Sequence, residues 1–178
     1  MSTPDTFGTV IYTRMDSPVG DLVLAGVRSP SAPGGVALCS VKMEKWKGDV
    51  RVEADWEYAP DAFEHAVGQL EAYFAGTLKS FDLEFATHGT PFQERVWAAL
   101  REIPYGTTTT YGTITADLGY ERVQARAVGS AIGSNPLGIV VPCHRVLGAK
   151  GALTGYAGGL ENKEALLVLE GVLPQPLA

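Results

Sequence analysis

The sequence predicts an α+β chain in two parts: a sheet with one helix over residues 1–86, and a mostly helical part over residues 90–174 holding a helix-turn-helix outline. Three observations predict it. β-rich runs broken by turn residues crowd the N-terminal part, apolar residues recur at helical spacing from Phe63 onward, and the strands precede the helices instead of alternating with them.

The strand signals fall at residues 9–14, 21–27 and 36–41, separated by the turn Ser17-Pro18-Val19-Gly20 and by a Pro/Gly-rich loop, which reads as an antiparallel meander. Asp61 followed by Glu64 has the form of a capping box, and Phe63, Val67, Leu70 and Phe74 form the apolar stripe of a helix that Gly76 ends. A short strand over residues 81–85 and a linker over residues 87–90 complete the first part.

The second part opens with Thr90 as N-cap, Pro91 at the first helical position and Gln93 closing a capping box, with Phe92, Val96, Leu100 and Ile103 on one face. Pro104-Tyr105-Gly106 stops that helix. Residues 111–118, Gly119 and residues 123–133 then read as helix, turn and helix, an outline that any helical hairpin shares. An apolar run at 139–141 leads into Pro142-Cys143, and a last helix at 160–170 ends at Gly171.

At 178 residues and 46% hydrophobic content, the chain can bury a sizeable core. The net charge of -6 argues against a general nucleic-acid coat, yet it is unevenly spread. Residues 1–94 carry 7 Lys/Arg against 14 Asp/Glu, residues 95–150 carry 6 against 3, and residues 151–178 carry 1 against 3. Only the middle segment is suited to approach phosphates. No apolar run approaches the roughly 20 residues of a membrane helix. Cys39 and Cys143 are expected to be free thiols in a reducing cytoplasm, with no secretory leader recognisable before them.

Cys143 is the candidate nucleophile. A cysteine reacts as its thiolate, which a neighbouring base or positive charge favours, and His144 and Arg145 adjoin it. In an extended segment adjacent side chains diverge, so His144 would reach the sulfur through a turn or a bridging water. Glu170 is the candidate for orienting His144, because it ends a helix rich in leucine and so lies near buried surface. By pattern alone such a pair is more often incidental than catalytic. A phosphate-binding cysteine loop needs an Arg several residues on, where this chain has Val146, Leu147, Gly148 and Ala149. Cys39, His65, His88, Cys143 and His144 are too scattered for a zinc site, so no metal is expected. No GxxxxGK motif and no dinucleotide fingerprint is present, so no cofactor is expected either.

Arg126-Ala127-Val128-Gly129, Asn135-Pro136, Pro142-Cys143-His144-Arg145-Val146, Gly155-Tyr156-Ala157-Gly158-Gly159 and Leu169-Glu170-Gly171, in that order, resemble the O6-alkylguanine-DNA alkyltransferase family, also called methylated-DNA–protein-cysteine methyltransferases. The resemblance is close over residues 90–172. Over residues 1–86 it holds in outline and implies a ribonuclease-H-like sheet plus helix.

The resemblance implies direct-reversal DNA repair, in which Cys143 takes the alkyl group from O6-alkylguanine, irreversibly and once per protein molecule. It implies that His144 activates Cys143 through a water, that Glu170 holds His144, and that Asn135 ties the helix-turn-helix to the nucleophile. The target base must leave the duplex, and Arg126 is then the residue that enters the stack. Ala125, Ala127, Gly129 and Ala131 suit close approach to a minor groove. Tyr111 would crowd the target phosphate and donate to the guanine ring, Tyr156 would wall the pocket, and backbone groups of Cys143, Val146 and Ala157 would pair with the base. Arg145 reads as structural.

The implied partner is double-stranded DNA carrying O6-alkylguanine, with O4-alkylthymine an open second substrate. A monomer is expected, with cooperative loading on DNA left open. Relative to animal members, one extra residue lies between Tyr111 and Arg126. Gly138 and Thr154 stand at pocket positions where some members have Pro and Gly. Alkyltransferase-like lesion sensors replace the motif Cys, and the branch fused to a transcriptional activator carries a cysteine-rich metal site that residues 1–86 lack. A thiol hydrolase would leave the Arg126 segment and its positive surroundings unexplained.

Overall fold

The computed structural model describes residues 8–46 and 51–175. Strands β1 (Val10–Met15), β2 (Leu22–Arg28) and β3 (Val36–Met43) form the predicted antiparallel meander, with β4 (Glu57–Tyr58) and β5 (Glu84–Phe85) added in parallel at its two edges, in the order β4-β1-β2-β3-β5. β2 is central and buried from Leu22 through Val27, which is why it reads as an almost unbroken apolar run. A β-carbon at Gly26 would lie 2.5 Å from the Ala37 carbonyl oxygen, so only glycine fits at this irregular step of the sheet.

Helix α1 (Glu64–Phe74) packs on the sheet, with three departures from expectation nearby. The Asp61–Glu64 capping box does not form: Pro60 opens a tight 3-10 turn, Pro60–Phe63, and Glu64 becomes the first residue of the helix instead of its third. The inward face is Phe63, Ala66, Leu70 and Tyr73, rotated from the predicted stripe so that Val67 and Phe74 are half-buried. The strand expected over residues 81–85 shrinks to Glu84–Phe85 because Gln69 takes the backbone of Asp82, its Oε1 accepting from Asp82 N at 2.8 Å and its Nε2 donating to Asp82 O at 3.0 Å.

In the second part Thr90 caps α2 (Pro91–Arg101) with the full box: Gln93 N donates to Thr90 Oγ1 at 3.1 Å and Thr90 N to Gln93 Oε1 at 2.9 Å. The helix ends at Arg101, before Pro104, a residue whose ring disfavours helical backbone just upstream. Helices α3 (Tyr111–Asp117) and α4 (Ala125–Gly133) make the helix-turn-helix around Gly119, whose φ of +80° needs glycine. α4 starts later than expected, since Arg122–Gln124 form a separate 3-10 turn. The Trp97 indole donates to Ala131 O at 2.8 Å and anchors α4 on α2.

The loop after α4 runs beside β3: Val41 N donates to Pro136 O and Gly138 N to Val41 O, each at 2.9 Å. One apolar core crosses both parts, joining Leu38, Val41, Phe63 and Tyr73 to Leu100, Ile139, Val141 and Leu166. The segment leading to Cys143 is thus stitched to the sheet. β6 (Thr109–Thr110) pairs in parallel with β7 (Val146–Leu147), and α5 (Leu160–Leu169) closes the fold. Among the described residues no helix is long and apolar enough to cross a membrane.

Candidate active site and nucleic-acid interface

Cys143, His144 and Arg145 form a 3-10 turn behind Pro142, and all three are buried. The turn resolves the geometric difficulty of adjacent side chains in an extended strand, because it sends His144 and Arg145 towards the C-terminal end of α5 and leaves Cys143 beside Asn135. Asn135 ends the α4 segment and staples the loop: its Oδ1 accepts from Leu137 N at 3.0 Å while its Nδ2 donates to Val141 O at 2.9 Å. Burial pushes the Cys143 thiol above its usual range, while a hydrogen bond from Asn135 and the positive charge of Lys163 pull it back.

Glu170 is the hub. Its Oε2 accepts from His144 Nε2 at 2.6 Å and from the Tyr73 hydroxyl at 2.6 Å, and its Oε1 accepts from Arg145 Nε at 2.7 Å. Arg145 Nη2 adds 3.1 Å to Oε2, and Arg145 Nη1 donates to Ile103 O at 2.7 Å. Although burial alone would raise it, these donors hold the carboxyl down at about 2, so Glu170 is an anion.

An anionic carboxylate can only accept, so His144 Nε2 carries the hydrogen, and in the neutral ring Nδ1 is the basic atom. That atom is buried and has no hydrogen-bond partner among the described residues. Burial lowers the basicity of His144 more than Glu170 restores it, so the ring is neutral at rest.

Around the sulfur, the Val146 carbonyl accepts from Lys163 Nζ at 2.6 Å, and the same ammonium donates to Thr154 O at 2.6 Å and Gly155 O at 3.2 Å. Lys163 is fully buried, which brings its ammonium down to about 8. The Tyr111 hydroxyl donates to Gly155 O at 3.3 Å. Tyr156 has a buried hydroxyl without a partner among the described residues, packs edge-on against Trp46 at 6.1 Å, and sits beside half-buried Ala157. At Gly138 a β-carbon would come within 2.8 Å of the Trp46 ring, so a larger residue there is not accommodated without moving that tryptophan.

Residues 91–172 match the family model for the 6-O-methylguanine DNA methyltransferase DNA binding domain, and residues 10–87 match that for its ribonuclease-like domain. The methylated-DNA–protein-cysteine methyltransferase of Methanosarcina acetivorans is 49% identical over 160 residues, covering 90% of this chain and 97% of that protein. The chain belongs to this family. The protein of the same name from Mycobacterium tuberculosis strain H37Rv is 49% identical over 159 residues, covering 89% of this chain and 91% of its own length. A crystal structure of M. tuberculosis O6-methylguanine methyltransferase superposes with a TM-score of 0.81 at 47% identity, covering 94% of this chain and 97% of that one. A structure of M. tuberculosis OGT in complex with DNA gives 0.80 at 47% identity, covering 92% and 95%.

In this methyltransferase the outer face of α4 carries the residues expected at DNA. Arg126 and Ala127 are exposed and Ala125 and Gly129 half-buried, while Val128, Ala131 and Ile132 point into the core. Gly129 lies against the Tyr111 ring, 3.7 Å from where its β-carbon would sit, so α4 packs directly against Tyr111. The structure therefore gathers Cys143, His144, Glu170, Asn135 and Val146 into one cluster, with Tyr111, Tyr156 and Ala157 on its wall. Arg126, Ala125 and Ala127 lie apart on the surface.

Two buried polar residues of the site, Lys163 and Tyr73, escaped the sequence reading. Lys163 had a signal, since Lys163, Leu166, Leu167 and Glu170 share one face of α5 at helical spacing. Tyr73 had none beyond its place in a helix, because its partner is 97 residues away.

Proposed function

We propose that Cys143 accepts the alkyl group of O6-alkylguanine from double-stranded DNA, once and irreversibly. The observation that carries this reading is the buried run Cys143, His144, Glu170, with the basic Nδ1 of His144 unclaimed by any other described residue. The thiol proton passes through a water to His144 Nδ1, and Glu170 stabilises the imidazolium that results. The Cys143 sulfur then forms a bond to the alkyl carbon as the bond from that carbon to guanine O6 breaks. The electron pair stays on the base, the Tyr111 hydroxyl donating to its ring, and a thioether remains on Cys143. Lys163, held beside Cys143 by three backbone carbonyls, favours the thiolate.

A duplex hides the O6 substituent, so the base rotates out at a cost of a few kcal/mol. Arg126, exposed at the start of α4, fills the gap, and the small residues Ala125, Ala127 and Gly129 let the helix approach a minor groove. Residues 1–86 and 90–174 act as a supporting and a catalytic domain. The two free cysteines fit a cytoplasmic setting.

Incubation with a duplex carrying O6-methylguanine, followed by intact mass and peptide mapping, should show one added methyl group, on Cys143 and nowhere else. An unchanged mass with the oligonucleotide bound would make the chain a lesion sensor. Arg126→Ala should repair duplex DNA roughly tenfold or more slowly while reacting normally with the free alkylated base, since only the stacked substrate must be flipped. An equal loss on both substrates would remove Arg126 from the flipping step.

A further inference from the structure

We infer that Tyr73, carried by α1 of the N-terminal part, is a positioning residue of the relay: its hydroxyl shares Glu170 Oε2 with His144 and so sets how strongly the carboxylate holds the imidazolium. The inference rests on the relay proposed above.

Tyr73 is fully buried, and its ring is fixed among Phe74, Phe81 and Tyr105 at centroid distances of 5.3, 5.5 and 6.1 Å. The hydroxyl therefore has little freedom, and it meets Oε2 at 2.6 Å, the same distance as His144 Nε2. Two short donors on one oxygen compete, because each draws charge that the other would otherwise use. Burial and the neighbouring anion both keep the phenol protonated, so toward Glu170 it is the donor.

The other charged groups at the relay are already committed. Arg145 binds Glu170 and Ile103 O, and it lies over the Tyr105 ring; Lys163 binds three carbonyls. Tyr105 Oη donates weakly to Leu169 O at 3.4 Å, and the Tyr156 hydroxyl bonds nothing described. Among the described residues Tyr73 is thus the one side chain of the N-terminal part bonded to the relay carboxylate, and it can tune the relay without touching DNA or sulfur.

Removing the hydroxyl by Tyr73→Phe keeps the ring packing and leaves Oε2 to His144 and the longer 3.1 Å bond from Arg145 Nη2. The imidazolium is then held more strongly, so His144 takes its proton at higher pH. In the full-length protein with labelled histidine, the NMR titration of His144 should move upward, with His65 and His88 as internal references. The acid limb of methyl transfer should move the same way by about half a pH unit or more, and the rate above it should rise by roughly twofold to threefold, because a better-held imidazolium forms more readily. Leu70→Ala, buried on the same helix, destabilises α1 without touching Glu170 and should leave the His144 titration in place.

An unchanged His144 response in Tyr73→Phe overturns the inference, as does an equal response in Leu70→Ala, which would reduce Tyr73 to packing. The ring titration requires no alkyl transfer, so failure of the methylation test leaves this experiment standing and the two failures are distinguishable.

Discussion

Cys143→Ala is expected to lose alkyl transfer completely while binding an O6-methylguanine duplex within about twofold of the unaltered chain. The separation follows from geometry. Cys143 is only 6% exposed, whereas the surface expected to meet DNA is the outer face of α4 with Arg126 and Ala127. Loss of one buried sulfur costs on the order of 1 kcal/mol, too little to unfold the protein. Intact mass after incubation reads the transfer and gel shift or anisotropy reads the binding. Any methyl group still removed from the DNA by Cys143→Ala would mean that another residue is the acceptor, and the relay would have no purpose.

Glu170→Gln should have the next largest effect, on both rate and stability. The amide cannot stabilise an imidazolium, and its NH2 group faces donors from His144, Tyr73 and Arg145, so at least one of them loses its acceptor. Transfer should slow by roughly a hundredfold to ten-thousandfold, the range of general acid–base assistance. Leaving the Arg145 guanidinium buried without its carboxylate should destabilise the fold by about 3 kcal/mol or more.

The pH dependence separates these contributions. Glu170 is held at about 2 against an ordinary 4.5, so the folded state keeps the anion that the unfolded state protonates first. Its contribution, about 3 kcal/mol, is whole above pH 4.5 and is lost as pH falls towards 2. His144 adds acid sensitivity of the same sign beginning below its ordinary 6.5, because the buried ring resists the proton that the unfolded chain accepts. Urea midpoints measured from pH 7 down to pH 3 should fall steeply below pH 4.5 in the unaltered chain and more gently in Glu170→Gln. Parallel curves would mean that Glu170 contributes nothing through its charge.

Much of the fold was legible because its signals are local. The meander could be read from turn residues and β-rich runs, and the start of α2 from Thr90, Pro91 and Gln93, whose reciprocal bonds form as their spacing implies. The same local logic failed at Asp61 and Glu64, where Pro60 imposed a tight turn, and at residues 81–85, where Gln69 claimed the backbone of Asp82. In both places a neighbour outbid the local pattern. β6 with β7 and the edge strand β4 carry only two residues per strand, too few to leave a periodicity.

By itself the sequence determined the α+β class and the helix-turn-helix outline, and through its family resemblance it singled out Cys143, His144 and Glu170 as candidate nucleophile, base and orienting carboxylate. Those assignments rest on residue types in a fixed order along one stretch of chain. Only the tertiary structure decided that Glu170 gathers donors from Tyr73, His144 and Arg145, that Lys163 lies beneath the pocket, and that Trp46 backs Gly138 and Tyr156. Each of these joins segments far apart in the chain, and burial makes such polar contacts obligatory because an unpaired charge has no water to turn to. Pairing of that kind is a property of the closed core, where distance in sequence no longer measures distance in space.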